Sequence, residues 1–494
     1  MTLLRSIARG MRSIARSVGI AVEASFDAAR TTRLNKRHWQ NADALSADAA
    51  LRPAVRKVLR QRSRYETQNN GYAEGIVGQA ATSLIGTGPQ INITWRDEEA
   101  NDYVEGLWRD WAEEIDLAGK LLLGARSKIE TGEVFFVMKS NPRLGSPIKL
   151  DIAVVEADQI AHPFGRATLA EEPDGIEFDA YGNPLRYSIL RAHPGSGLPA
   201  ANEADLVDAR FVLHWFTQRR PGQSRGYPDT TPSLSLFADL RRYRGATVQS
   251  AETAASIAGV LQTDSSVDDS DTEIAPLDTM PIESGTWMAL PAGYKVGQLE
   301  PNQPTTTFGD FVRQLIREMA RPFRMPFNIA AGDSSGYNYS SGRLDHQTYD
   351  ESTAVERAAF ARRILRRLFA EWLREAALVD PRVAQALAAE RPRVSWIWPS
   401  RGHIDEVKSA NADMIRINGM LASRTQICAE RGRDFRELVR EIRQEREFMA
   451  SQGVSPADVD QALQRDAEDR RRDEEDERDE NAAASIAKGG RRAA

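Results

Sequence analysis

Two five-residue stretches carry the G-x-S-x-G pattern that presents a nucleophilic serine in α/β hydrolases, Gly222-Gln223-Ser224-Arg225-Gly226 and Gly332-Asp333-Ser334-Ser335-Gly336. That chemistry needs a strand running straight into a sharp turn and then a helix, so that the hydroxyl stands exposed beside a general base. Neither context fits. Polar Thr217 to Arg220 separate Ser224 from the apolar run before it, and Pro228 follows the motif closely. Ser334 follows Asn328-Ile329-Ala330-Ala331, a poor strand. A serine hydrolase is therefore the second reading of the chain, and no catalytic residue is assigned.

Other chemistries find less. His38, His162, His193, His214, His346 and His403 are scattered without H-x-x-x-H spacing or a His/Cys cluster, so no metal site is expected. Gly86-Thr87-Gly88 lacks the third glycine of a dinucleotide fingerprint, and there is no G-x-x-x-x-G-K-[ST] phosphate loop. No cofactor is expected and the chain supplies no ATPase. The single cysteine, Cys428, excludes an intrachain disulfide framework and points to a reducing compartment.

The 494 residues can bury a large core, and the composition is that of a soluble protein, 41% hydrophobic and 28% charged, with a mean hydropathy of -0.48. The longest apolar runs fall far short of the roughly 20 residues that span a bilayer. Net charge is -6 but unevenly spread. Residues 1–37 carry Arg5, Arg9, Arg12, Arg16, Arg30, Arg33, Lys36 and Arg37 against Glu23 and Asp27. This basic N-terminal arm suits a membrane surface or nucleic acid, or a flexible strap on a neighbouring subunit.

The elements that would position any site follow from spacing. Pro53 to Arg64 reads as a basic helix with Val55, Val58 and Leu59 on one side, and Asn69-Asn70-Gly71-Tyr72 as a turn. Residues 73–85 read as an apolar helix stopped at Gly86-Thr87-Gly88-Pro89, and Val104, Leu107, Trp108 and Trp111 mark another. Short strand-like runs follow at Val134 to Val137, Ile148 to Val155, Arg186 to Leu190 and Phe211 to Phe216. Thr231 and Pro232 read as N-cap and first residue of a helix reaching about Leu261, with Leu236, Leu240, Tyr243, Thr247, Ala251, Ala254 and Ala258 in one stripe. Phe308, Phe311, Val312, Leu315, Ile316 and Met319 give a second amphipathic helix ended by Pro322. Beyond the polar loop 332–342, Leu365, Leu368, Phe369, Trp372 and Leu373 form the buried stripe of a long helix. Ser423/Gln426 and Asp434/Glu437 have capping-box spacing, and Gly432 and Gly453 read as helix ends. The fold class is α+β.

Several stretches together resemble the lambda-type family of phage portal proteins. They are Arg37-His38-Trp39 with Ala42-Asp43, Arg62-Ser63-Arg64, Asn69-Asn70-Gly71-Tyr72-Ala73 with Gly75-Ile76-Val77, and Leu84-Ile85-Gly86-Thr87-Gly88-Pro89. Glu156-Ala157-Asp158-Gln159-Ile160, Arg220 to Gly226, and Asn338-Tyr339-Ser340-Ser341 with Arg343 complete the set, in family order over roughly residues 35–450. The resemblance implies a portal fold with a mixed wing, a two-helix stem, a small β-containing clip and a helical crown. Residues 38–231 would be the first part of the wing, 232–261 a stem helix, 262–307 the clip and 308–322 the second stem helix. The loop 332–342 would face DNA in the channel through Asp333, Ser334, Ser335, Tyr337, Asn338, Tyr339, Ser340 and Arg343. Residues 343–402 would be a wing helix and return, 403–455 the crown, and 456–494 a charged, disordered tail. Asp264, Asp268, Asp269, Asp271 and Glu273 would lie at the clip and meet the packaging motor.

The same resemblance implies a twelve-subunit ring at one capsid vertex, assembled in the host cytoplasm and kept in the virion. Its partners would be double-stranded DNA, the terminase large subunit, major capsid and scaffold proteins, and head-completion or connector proteins, with no membrane span. Under the alternative reading the chain would be a head maturation protease using Ser224 or Ser334. A third reading makes it a membrane- or nucleic-acid-binding scaffold acting through the basic arm.

Overall fold

The computed structural model describes residues 33, 36–163, 174–199, 203–256, 260–263, 294–297, 307–400, 402 and 406–453. Most of the basic arm, the five acidic residues expected at a clip (Asp264, Asp268, Asp269, Asp271 and Glu273) and the tail 456–494 lie outside the described residues. The chain opens with a short helix α1 (Ala47–Ala50), α2 (Pro53–Asn69) and α3 (Gly71–Ile85). Asn70 ends one of these long helices and begins the next: its backbone N–H bonds Glu66 O, and its Oδ1 accepts from Tyr72 N at 3.1 Å. Strand β1 (Gln90–Thr94) and the helices α4 (Glu98–Glu114) and α5 (Leu117–Thr131) follow.

The centre is a three-stranded antiparallel sheet in which β2 (Glu133–Ser140) lies between β3 (Leu150–Glu156) and β7 (Val212–Phe216). A second sheet is formed by β4 (Ile176–Phe178), β5 (Pro184–Leu190) and β6 (Ala204–Asp208). Alternation along β2 divides the core, as side chains on a strand must. Val134, Phe136 and Met138 join the large core with the helices, while Phe135 joins Tyr187, Ile176 and Val212 in the smaller core of the second sheet.

The helix expected over 232–261 is shorter. Thr231–Ser233 form a 3-10 turn and α6 runs Leu234–Ser256, after which Val260–Thr263 form a strand, β8, paired antiparallel with β9 (Tyr294–Gly297). Thr231 is not a side-chain cap, because its hydroxyl donates to Pro228 O at 2.7 Å instead. In α6 the fully buried Phe237 joins Leu240, Thr247 and half-buried Leu236 and Tyr243 on the inner stripe. Helix α7 (Phe308–Ala320) lies against α6: Phe308 stacks on Tyr243 at 5.4 Å, and Ser233 Oγ donates to Met319 O at 2.9 Å. The turn Arg321–Phe323 takes the last residues of the range expected to be helical.

After α8 (Phe327–Ala331) comes α9 (Tyr339–Phe360), which continues through a π-helical turn at Ala361–Leu365 into α10 (Arg366–Val379). Leu365, Leu368, Phe369, Trp372 and Leu373 are all buried, as their spacing requires. Trp372 meets Trp108 at 5.1 Å and Phe369 at 5.8 Å, so α10 and α4 share one aromatic core. The chain returns through α11 (Pro381–Ala389) and β10 (Arg393–Ile397), which pairs antiparallel with β1. Three helices end the described chain: α12 (Glu406–Asn418), α13 (Arg424–Glu430) and α14 (Phe435–Ser451). Only the N-cap half of each expected capping box is seen: Ser423 Oγ accepts from Gln426 N at 3.1 Å and Asp434 Oδ1 from Glu437 N at 3.1 Å, while Gln426 Nε2 bonds Glu430 instead of reaching back.

Candidate functional site

The loop expected over 332–342 is in fact a turn of 332–338, and Tyr339, Ser340 and Arg343 already belong to α9. The reason is Asn338. Its side chain accepts from Ser341 N at 2.8 Å while Ser341 Oγ accepts from Asn338 N at 3.2 Å, a reciprocal cap that starts the helix early. The turn is bonded rather than shapeless. Gly332 closes α8 at φ 65, Asp333 Oδ1 accepts from Ser335 N at 2.9 Å, and Tyr337 N donates to Ser334 O at 3.1 Å. Tyr337 is half-buried against the core shared by α6, α7 and α8, leaving Ser334, Ser335, Asn338, Ser340 and Arg343 exposed.

The larger surprise lies in α2. Val55 and Val58, which share one side of this helix, are exposed, and the helix buries Arg56, Arg60, Ser63, Glu66 and Thr67 instead. Of these, Arg56 and Arg60 face an ion network that no local spacing revealed. Arg225 is 2% exposed and forks onto Glu133, with Nη2 to Oε1 at 2.8 Å and Nε to Oε2 at 3.0 Å. Its remaining donors go to Ile160 O at 3.1 Å, Ala157 O at 3.2 Å and Asp174 O. Arg60 pairs with Asp158 at 2.9 Å and approaches Glu133 at 3.7 Å, Arg64 bridges Asp158 and Glu156, and Arg56 faces Asp174 at 3.7 Å. Four guanidiniums thus face four carboxylates, Glu133, Glu156, Asp158 and Asp174, and the charges balance.

Burial alone would raise Glu133, but the Arg225 charge and the hydrogen bonds from His214 and Arg225 outweigh it and hold the carboxyl well below its usual range. Burial pushes His214 down, so its neutral ring donates Nε2–H to Glu133 at 3.1 Å. Burial and the Arg225 charge lower Arg56 to about 9. Glu156, Asp158 and His193 cluster closely enough to hold a cation. Arg60 and Arg64 already occupy those carboxylates, so the trio is part of the ion network.

This geometry accounts for the stretch Arg220 to Gly226. Ser224 does not stand free at an elbow: its N–H and Oγ both donate to Asp48, at 2.8 and 2.7 Å. Gln223 Oε1 accepts from Arg219 N at 2.8 Å, and Gly226 N donates to Glu133 Oε2 at 2.8 Å. A Cβ on Gly226 would lie 2.1 Å from Gly132 O, so only glycine lets the turn approach β2. No histidine bonds Ser224 or Ser334 among the described residues. A signal for the network was available, since Arg56, Arg60, Ser63 and Thr67 fall at i, i+4, i+7 and i+11, but polar residues at that spacing ordinarily mark the solvated face.

A family model described as phage portal protein, lambda family, matches residues 32–357. The chain belongs to that family. Every stretch of the network and of the turn before α9 lies inside the match, while α12, α13 and α14 lie beyond it. A probable portal protein of Halomonas phage phiHAP-1 is 24% identical over 93% of this chain and 93% of its own length. Portal protein B of Escherichia phage lambda is 24% identical over 85% of this chain and 89% of its own. Among solved structures, a chain from the neck of a native GTA particle computed with C12 symmetry is 11% identical, covering 77% of this chain and 94% of that one at a TM-score of 0.42.

Proposed function

We propose that this portal-family chain is one of twelve subunits of a ring at a single capsid vertex, through which double-stranded DNA enters during packaging and leaves at ejection. The observation that carries the reading is the family match across the network, the paired helices α6 and α7 and the turn at 332–338. Helices α6 and α7 serve as the stem, with the hairpin of β8 and β9 between them in sequence as the clip. There Asp264, Asp268, Asp269, Asp271 and Glu273 offer an acidic contact to the terminase large subunit and to head-completion or connector proteins. The exposed Ser334, Ser335, Asn338, Ser340 and Arg343 face the channel, and the outer wing meets the capsid and scaffold proteins.

Electrostatics support a conduit. DNA carries one charge per ~1.7 Å of axis, and clustered cations hold it tightly. Twelve chains of -6 make a ring of -72, consistent with a lumen that repels a duplex rather than clamping it. The hydrolase reading has no comparable support, because Ser224 is engaged by Asp48. Head assembly with and without the chain tests the proposal. Heads built without it should stay empty of DNA, and heads carrying a turn in which 333–337 is shortened should assemble yet package or retain DNA poorly. DNA-filled heads in the chain's absence would overturn the reading.

A further inference from the structure

Helix α2 is inverted relative to ordinary amphipathic packing. Arg56 and Arg60 are buried in the ion network, and Val55, Val58 and Tyr65 are turned outward at 43%, 42% and 55% exposure. On that outward side Arg62 follows Val55 and Val58 at i+7 and i+4, so the four residues make one stripe at i, i+3, i+7 and i+10. Arg52, Lys57 and Arg62 are exposed and form no ion pair among the described residues, which leaves this face apolar with a basic edge. A face of that kind on a helix whose polar side is already buried needs a partner that is apolar with an acidic edge.

The same chain carries such a surface on a different element. Helix α9 packs on α3 and exposes Leu344 and Val355 at 64% and 65%, with Glu351 between them on the same stripe at i+7 and i+11. Glu351 is exposed and forms no ion pair among the described residues. A ring closes when one surface of each copy meets a different surface of the next, and two complementary stripes on separate helices meet that requirement. We infer that the outward face of α2 docks on the α9 stripe of the adjacent copy, Arg62 opposite Glu351 and Val58 against Val355, one helical turn away on each helix. The inference rests on the ring reading above and names the contact that builds it.

Charge reversal tests it on the full chain. Wild type, Arg62→Glu, Glu351→Arg and the double variant would be compared by mass photometry across a dilution series, with circular dichroism confirming that each protomer is folded. Each single reversal should raise the concentration needed for assembly about tenfold, and the double variant should restore it. In parallel, Val58→Cys with Val355→Cys in a Cys428→Ser background should give an oxidative ladder of linked subunits. A wild-type ring whose assembly ignores all three charge variants, or whose cysteine pair forms no ladder, overturns the contact and leaves the ring reading standing. A wild-type chain that stays monomeric overturns both.

Discussion

Arg225 Nη2 stands 2.8 Å from Glu133 Oε1 where β2, the Arg220–Gly226 turn and α2 converge, and neither side chain reaches solvent. The turn is pinned to the sheet by one bidentate ion pair, and Arg56 and Arg60 of α2 are drawn inward by the same carboxylates.

Breaking that pair leaves a buried charge without its counter-ion, which costs about 3–5 kcal/mol. Arg225→Met should destabilise the chain by that order in urea unfolding. Glu133→Gln should do the same and also change the acid limb. Glu133 has its carboxyl depressed in the folded chain, so its contribution is present above the unfolded value of 4.5 and is lost as pH falls through the lower folded value. Wild-type stability should drop steeply below about pH 4.5, and the Gln variant should drop less. Equal acid limbs for the two proteins would contradict this role.

Glu105 shows the opposite sign. Burial raises it to about 7, while its Oε1 accepts from Ile93 N at 2.6 Å beside Asp434, Asp102 and Arg436. The folded chain then holds more protons than the unfolded one between 4.5 and 7, so this group's contribution falls as pH rises across that window. Glu105→Gln should flatten that decline and raise the melting temperature at pH 8, measured by calorimetry. A variant that melts below wild type at pH 8 would count against it.

The joint of α4 and α10 should be the costliest place to empty. Trp372 is fully buried against Trp108, Trp111 and Phe369. Trp372→Ala should cost about 3–5 kcal/mol in chemical unfolding. A loss under 1 kcal/mol would mean that the aromatic core repacks around the gap.

Asn338 sets where α9 begins. Asn338→Ala should cost about 1 kcal/mol and speed amide exchange through the first turn of α9, with little change elsewhere. Unchanged exchange at Ser341 would show that the cap does not hold the turn.

The helices with one apolar stripe were legible in the sequence, because the spacing of Trp108 with Trp111, or of Leu365 through Leu373, admits a single buried face. Family order was legible too, in short stretches such as Glu156 to Ile160 and Arg220 to Gly226. What those stretches do was not. Arg225 meets Glu133 across 92 residues of chain, and no local spacing reports such a distance. Helix α2 offered two stripes, one apolar and one basic, and spacing alone did not say which is buried, because the counter-ions sit on other elements. The pairing of β1 with β10 was hidden for the same reason: it joins residues 90–94 to 393–397.

The central claim is that this chain closes into a portal ring. Mass photometry of the purified full-length protein tests it most directly. The account predicts a dominant species at twelve times 54.9 kDa, seen by negative stain as a ring with a central opening. A protein that stays at one or two chain masses at micromolar concentration and shows no ring would contradict it.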